Sequence, residues 1–437
     1  MKKAASFALG CKVNQYESEA IAELFAEKGY EIVGIDEEAD VYVINTCTVT
    51  NFGDKKSRQL IRKVKRQNEN AIVAVVGCYA QTAPKELMEI AGVNLVIGTK
   101  DRAQIVEMVE QYDRANGVEN HVSDIMKERV FEPLSIQKLA NRTRAYLKIQ
   151  DGCSQYCSYC IIPYARGPIR SREPQEVVAE VKRLAENGFK EVVLTGIHVA
   201  SYGKDRRDTS LLDILKQVHE VEGIERIRFS SIEPNVVTEE FAQTMAALPK
   251  VCDHFHLSLQ SGCDETLERM NRRYRSGEYR ERCELLREVY GNPALTTDVI
   301  VGFPQESEEE FRKSYDFVDS IRFYETHIFK YSRRQGTKAA AMDGQLTEAE
   351  KSFRSEKMIE LHHRHAGDYE KSMLGKNLEV LIEEEYTKDG RTWYLGHSRE
   401  YIKTAVPKSE AYGVNDIVNV KAEGFLEEHI MTGEAVE

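Results

Sequence analysis

Two stretches of this 437-residue chain alternate short runs of β-branched and small apolar residues with amphipathic helical patterns, which restricts the possible folds severely. In the first, about residues 1–112, Lys3–Leu9, Asp40–Asn45 and Ala71–Val76 have the composition of buried strands. A helix is expected to open at Asn14, with Glu17 three residues on as a capping-box-like pair and Ile21, Leu24 and Phe25 on one face. This strand–helix–strand rhythm predicts an α/β, parallel, doubly wound sheet. Residues 113–142 lose the rhythm, and Asn116-Gly117, mixed charge and Pro133 predict a surface linker.

Alternation resumes from Arg144 to about Ser332, within a domain expected over 143–371, with candidate strands Ala145–Gln150, Glu191–Thr195, Arg226–Ser230, His254–Leu259, Thr296–Val301 and His327–Tyr331. Six strand–helix units predict a partial (β/α)6 barrel or a wide parallel sheet. After a charged helix near Thr347–Lys371 come the short runs Leu378–Glu383, Thr392–Gly396, Tyr401–Val406 and Ile417–Ala422, separated by turn signals. They predict a small antiparallel β-barrel over 372–437.

No apolar run approaches the roughly 18–20 residues of a membrane span, and Ala4–Leu9 is too short for an export signal. A cytoplasmic location is therefore expected, where the nine cysteines meet reducing conditions and serve better as metal ligands or redox groups than as disulfides.

Cys11, Cys47 and Cys78 each fall at or just beyond the end of a predicted strand. In a parallel sheet those ends share one rim, so three thiols distant in sequence converge, suiting an iron–sulfur cluster or zinc. The bland alternative is three small buried hydrophobes. Cys153, Cys157 and Cys160 follow another strand with CxxxCxxC spacing. Structural zinc normally takes four closed ligands and fits this loop poorly, whereas a cubane cluster on three cysteines keeps one iron open. Cys252, Cys263 and Cys283 have no such spacing and are expected as buried thiols. His362, His363 and His365 are expected on a solvated helix face.

CxxxCxxC after the first strand of a (β/α) domain resembles the radical-SAM superfamily. The resemblance implies S-adenosylmethionine chelated at the open iron, with Tyr159 by its adenine and Thr195-Gly196 near its amino group. Glu233, Ser258, Gln260 and Asp298, at or near other strand ends, would complete the pocket; individually each polar residue could equally be a strand-end cap. A three-cysteine first domain, a radical-SAM core and a small terminal barrel resembling a TRAM domain together resemble the methylthiotransferases. That family implies two [4Fe-4S] clusters, one on each cysteine triad.

Leu9 to Ser18 (LGCKVNQYES) resembles the branch acting on N6-threonylcarbamoyladenosine at position 37 of tRNA. The branches acting on isopentenyladenosine tRNA and on ribosomal protein S12 remain alternatives within the family, and a non-catalytic iron–sulfur tRNA-binding protein is the alternative outside it. The resemblance also implies a sulfur donor and an electron donor such as flavodoxin or ferredoxin.

Charge supports RNA only locally, since the chain carries a net −12. Lys55, Lys56, Arg58 and Arg62 crowd one helix, with Lys63, Lys65 and Arg66 beyond them. Arg166, Arg170 and Arg172 follow the compact cysteine loop, and Arg269, Arg272, Arg273 and Arg275 form a further group. All are candidate phosphate contacts or solvated helix faces. From Lys371 onward, eight basic residues face thirteen acidic ones, so the terminal segment could bind RNA only through a localised face.

Overall fold

The computed structural model describes residues 1–136 and 143–436. β1 (Lys3–Ala8), β2 (Glu31–Ile32), β3 (Val41–Thr46), β4 (Ile72–Gly77), β5 (Leu95–Ile97) and β6 (Glu119–Asn120) form one sheet in the order β2-β1-β3-β4-β5-β6. Every pairing in it is parallel. Ile21, Phe25 and Ile105 pack with Val41, Val43 and Val76 in one core cluster. Ile61, Val64 and Leu87 pack with Tyr42, Ile44 and Val75 in another. A sheet covered on both faces explains why β3 is buried at every residue and shows no polar alternation.

Two expectations fail here. The helix α1 (Lys12–Glu27) begins before Asn14, and Asn14 and Glu17 are buried, making tertiary contacts in place of a cap. Nor is 113–142 simply a surface linker: β6 extends the sheet, and Leu134 and Ile136 join the core of the next domain. Residues 137–142 lie outside the described residues.

The second domain contributes β7 (Arg144–Asp151), β8 (Arg170–Ser171), β9 (Glu191–Gly196), β10 (Arg226–Phe229), β11 (His254–His256), β12 (Ala294–Val301) and β13 (Glu325–Lys330). Its sheets run β10-β9-β7-β8 and β11-β12-β13. Parallel bridges at Ile227–Val251 and Ile232–Leu257 carry the wall across the gap between them. The result is a partial barrel of six parallel strands, with the two-residue β8 added antiparallel at one edge. Ala145, Leu147, Ile149, Val192, Leu194, Phe255, Leu257 and Val299 belong to the core under the outer helices. The alternate positions, including Tyr146, Lys148, Thr195, Arg228, His256 and Asp298, therefore face the barrel lumen. Cys252, Cys263 and Cys283 are buried, as expected. His365 departs from its expected solvated face: it is buried, with Nε2 2.9 Å from Asp319.

β14 (Asn377–Lys388), β15 (Arg391–Ser398), β16 (Lys403–Pro407), β17 (Ile417–Glu427) and β18 (Ile430–Ala435) close a barrel in the order β14-β15-β16-β18-β17. The last strand carries only a short apolar start and then Thr-Gly-Glu, too weak a pattern to announce itself. This barrel docks on the amino ends of β7 and β10. Arg144 Nη2 donates to Glu383 at 2.9 Å, and Arg226 Nε to Glu379 at 2.9 Å. Arg228 donates to the carbonyls of Ser398 (2.6 Å) and Arg399 (2.8 Å).

Tyr401 plugs the joint, its ring stacked between His254 (4.9 Å) and His397 (4.6 Å). The guanidinium groups of Arg144 and Arg228 each lie 5.1 Å from the ring centre. Partly desolvated cation–π and ring contacts contribute about 0.5–2 kcal/mol each. Tyr401→Ala is therefore expected to weaken the docking by about 2–4 kcal/mol, seen as faster protease release of the terminal barrel; unchanged cleavage would refute the plug.

Candidate functional site

Cys11 is the residue before α1, Cys47 follows β3, and Cys78 opens α3 (Cys78–Thr82) directly after β4. β1, β3 and β4 are neighbours in register, so the three cysteines reach one rim of the sheet. Gly10 makes the approach possible: it has φ +114°, and a Cβ there would sit 2.5 Å from Cys47 Cβ. Asn14 Nδ2 donates to the carbonyls of Leu9 (2.9 Å) and Thr46 (3.1 Å), tying the two cysteine loops together.

Beneath this rim lies a buried ionic assembly shared by both domains. Glu17 contacts Arg102 (2.5 Å), Lys148 (2.7 Å) and Arg166 (2.5 Å). Asp151 contacts Lys148 (2.6 Å), Arg166 (3.5 Å) and Arg170 (3.4 Å), while Glu132 pairs with Arg102. Burial alone would raise the Glu17 and Asp151 carboxyls; the surrounding cations overcome it and hold both well below the carboxylate range. Four cations thus face three carboxylates. Arg166 Nε also donates to Cys78 Sγ at 3.1 Å, which sets one of these cations against a triad sulfur, while burial holds that thiol above its ordinary value.

The compact triad occupies the loop after β7. Gly152 starts it at φ +72°, where a Cβ would collide with the Pro168 carbonyl at 1.9 Å. Cys153 N–H donates to Gly167 O and Cys160 N–H to Cys157 O, both at 3.0 Å. Ser158 anchors the loop through its hydroxyl to Arg269 O at 2.7 Å. Arg272 Nη1 donates to Cys157 Sγ at 3.3 Å.

Around that loop, Glu233 accepts from Gln155 Nε2 at 3.0 Å and lies 3.3 Å from His198 Nε2. Burial raises the Glu233 carboxyl, but His198 and Arg272 bring it below its ordinary value. Thr195 is buried, and a Cβ on Gly196 would meet Gln150 Oε1 at 2.8 Å. Ser258 O accepts from Tyr274 OH at 2.7 Å, and Gln260, at φ +72°, bridges to β12 through Asp298 O at 2.8 Å. Tyr159 packs against the cluster of Met270, Phe303 and Tyr331. Asp298 lies in the body of β12, not at its end, with Oδ2 3.2 Å from His256 Nε2.

Residues 147–318 match the Radical SAM superfamily, and residues 3–98 match the family described as Uncharacterized protein family UPF0004. The threonylcarbamoyladenosine tRNA methylthiotransferase MtaB of Bacillus subtilis is 44% identical over 96% of this chain and 94% of its own length. Its Aquifex aeolicus counterpart is 40% identical over 88% and 93%. A tRNA-2-methylthio-N(6)-dimethylallyladenosine synthase of Thermoanaerobacter is 36% identical over 86% and 80%. The chain belongs to the radical-SAM tRNA methylthiotransferases. The fold is shared with the solved radical S-adenosylmethionine methyltransferase TsrM of Kitasatospora setae (TM-score 0.58, 17% identity, 78% of this chain and 77% of that one).

Membership of the radical-SAM superfamily implies S-adenosylmethionine and a [4Fe-4S] cluster for this enzyme, and the cysteine loops suit clusters. Burial pushes the Cys153 thiol up to about 11 and the Cys47 thiol up to about 12. Such thiols stay protonated at neutral pH until a metal displaces the proton. Arg166 and Arg272 each aim a hydrogen bond at one sulfur of a triad, as donors to coordinated thiolates do. No simple spacing signals these two arginines, because each approaches its sulfur from a different segment of the fold.

The basic candidates divide. Lys55, Lys56 and Arg62 are exposed on α2 (Asn51–Gln67), whose first turn follows the Cys47 loop. Arg58 is half-buried, donating to Tyr79 OH (2.8 Å) and Glu86 (2.9 Å). Arg166, Arg170 and Arg172 are not phosphate contacts: all three are buried, the first two in the ionic assembly and Arg172 on Glu180 at 2.5 Å. Arg272 is likewise committed to Cys157.

Because Glu17 and Asp151 titrate below their unfolded values of 4.5 and 3.8, their contribution is complete above those values and disappears as acid protonates them. Glu17→Gln should cost about 3–5 kcal/mol near neutrality. It should also flatten the loss of stability with acidification, measured by urea unfolding across pH; an unchanged profile would sink the ionic joint.

Proposed function

We propose that this enzyme transfers a methylthio group to C2 of N6-threonylcarbamoyladenosine at position 37 of tRNA. The similarity to the Bacillus subtilis enzyme, running through nearly the full length of both chains, carries the substrate reading. In the same reading, Cys153, Cys157 and Cys160 hold the cluster that works with S-adenosylmethionine, and Cys11, Cys47 and Cys78 hold a second [4Fe-4S] cluster. C2 of adenine bears a C–H bond with no useful acidity, so acid–base catalysis, typically about 10²–10⁴-fold, falls short. The bound cofactors supply one-electron and sulfur-transfer chemistry. A sulfur donor and a flavodoxin- or ferredoxin-like electron donor are the partners, and the cytoplasm is the compartment.

The protein's own residues prepare the site. Arg272 orients Cys157, and Glu233, held ionised between His198 and Gln155, is an acceptor for the amino group of S-adenosylmethionine. Thr195, Gly196, Ser258, Gln260 and Tyr159 form the rest of that pocket, and Asp298 serves it from deeper in the barrel. Arg166 and the Glu17 assembly hold the second triad facing the first across a joint that excludes water. At the mouth, Phe52, Tyr156 and Tyr164 are exposed large hydrophobics, and Lys56 Nζ lies 4.7 Å over the Phe52 ring. A neighbouring cavity of about 710 Å³ is lined by Arg58, Arg334, Tyr79 and Tyr164. Exposed aromatics interleaved with cations suit splayed RNA bases and phosphates, so Lys55, Lys56, Arg58 and Arg62 are the RNA contacts in this reading.

Anaerobically reconstituted protein should hold about eight irons, as two cubane clusters on six cysteines. Alanine at Cys153, Cys157 and Cys160 should halve that content and abolish 5′-deoxyadenosine formation; full iron retention would contradict the assignment. Nucleoside mass spectrometry of tRNA from cells lacking the protein should show the methylthio group missing from threonylcarbamoyladenosine alone. Loss from dimethylallyladenosine instead would transfer the enzyme to the other branch.

A further inference from the structure

Lys12 directly follows the rim cysteine Cys11, yet its side chain leaves the first domain and enters the lumen of the second. Its Nζ lies 5.9 Å from the centre of the Tyr146 ring, on the lumen side of β7. The charges that act on it are Arg144, Arg228, Glu191 and Asp298, on four different strands of the barrel. The other cations there are engaged. Arg144 pairs with Glu383 at 2.9 Å, Arg228 with Glu191 at 2.8 Å, and Lys148 with Glu17 and Asp151. Asp298 is taken by His256 at 3.2 Å. Among the described residues, no carboxylate lies within 4.0 Å of Lys12, and its side chain remains exposed to the lumen.

An ammonium held among low-dielectric walls, whose charged neighbours are already paired with one another, is an anion site awaiting its anion. Of the two N6 substituents handled by the relatives, the dimethylallyl group is apolar and uncharged and would leave that ammonium unmatched. The threonylcarbamoyl group ends in a carboxylate. We propose that Lys12 is the specificity residue that receives the threonyl carboxylate of the target nucleoside. The inference rests on the threonylcarbamoyladenosine reading above. It adds a division of labour within two adjacent residues: Cys11 serves sulfur chemistry at the base, and Lys12 reads the substituent.

The test uses reconstituted holoenzyme and synthetic anticodon stem-loops carrying either N6-threonylcarbamoyladenosine or its threonyl methyl ester. Binding is followed by fluorescence anisotropy and turnover by kcat/KM, on wild type, Lys12→Gln and Lys12→Arg, with iron content confirming that each is loaded. A charge-assisted hydrogen bond contributes about 1.5–3 kcal/mol, or roughly 10–150-fold. Wild type should therefore favour the acid over the ester by at least about tenfold. Lys12→Gln should erase that preference by weakening the acid alone, and Lys12→Arg should keep most of it. A wild type indifferent to esterification, or a Lys12→Gln enzyme that still prefers the acid, overturns the proposal. Should Gln displace the cluster, Lys12→Met, which keeps the stem length, gives the same comparison. A wild type that leaves the acid stem-loop unmodified but acts on a dimethylallyl one instead overturns the substrate reading, an outcome visible before any variant is compared.

Discussion

The contact on which the rest of the structure depends is Glu17 with Arg102, Lys148 and Arg166, completely buried between two domains. Desolvating one ion costs several kcal/mol unless its partners arrive with it. Glu17 and Arg102 come from the first domain, Lys148 and Arg166 from the second, and neither half is tolerable alone in a dry interface. The joint is consequently formed whole or hydrated whole. Tyr16, one residue earlier on α1, reinforces it by donating to Leu134 O at 2.8 Å and contacting Glu180 at 3.2 Å. A single helix therefore sets the gap between the two cysteine rims, because its first turns carry Asn14 and Glu17 immediately after Cys11.

Each rim also receives one arginine. Arg166 donates to Cys78, and Arg272 to Cys157, while the latter also stacks 4.8 Å over Tyr274 and stands 3.7 Å from Glu233. Hydrogen bonds to coordinated sulfur favour the more negative, reduced form of a cluster, so under the proposed two-cluster reading each arginine would adjust the potential of the cluster beside it. The two adjustments differ in setting: Arg166 is sealed in the ionic joint, whereas Arg272 stands beside the pocket where substrate-derived charge would come and go.

Much of the architecture was legible because buried strands are unambiguous in composition. The expected strands Asp40–Asn45 and Ala71–Val76 lie within one residue of the observed Val41–Thr46 and Ile72–Gly77, because Val41–Ile44 and Ile72–Val76 are unbroken apolar and aromatic runs, and their ends point Cys47 and Cys78 to a common rim. The short β8 and the polar β18 lacked any such pattern. Asn14 and Glu17 mimicked a capping box because the spacing that caps a helix is also one turn of its face, and tertiary charge captured both. Arg166, Arg170 and Arg172 misled for a related reason. A run of arginines has the same composition whether it meets phosphate or buried carboxylates, and the deciding partners, Glu17 and Glu180, lie far away in sequence on one side and on an adjoining helix on the other. Lys12 stands inside the Leu9–Ser18 signature, but where its flexible side chain travels after the helix starts is decided only by packing.

Tyr401, wedged between His254 and His397, closes the end of the lumen opposite the cysteine loops. A vessel stoppered at its base has a single direction of traffic. Under the proposed reading, a group that settles near Lys12 would have to enter and leave through the mouth alone. The terminal barrel thus seals the lumen from its amino end, and loosening its stopper would open that end to water.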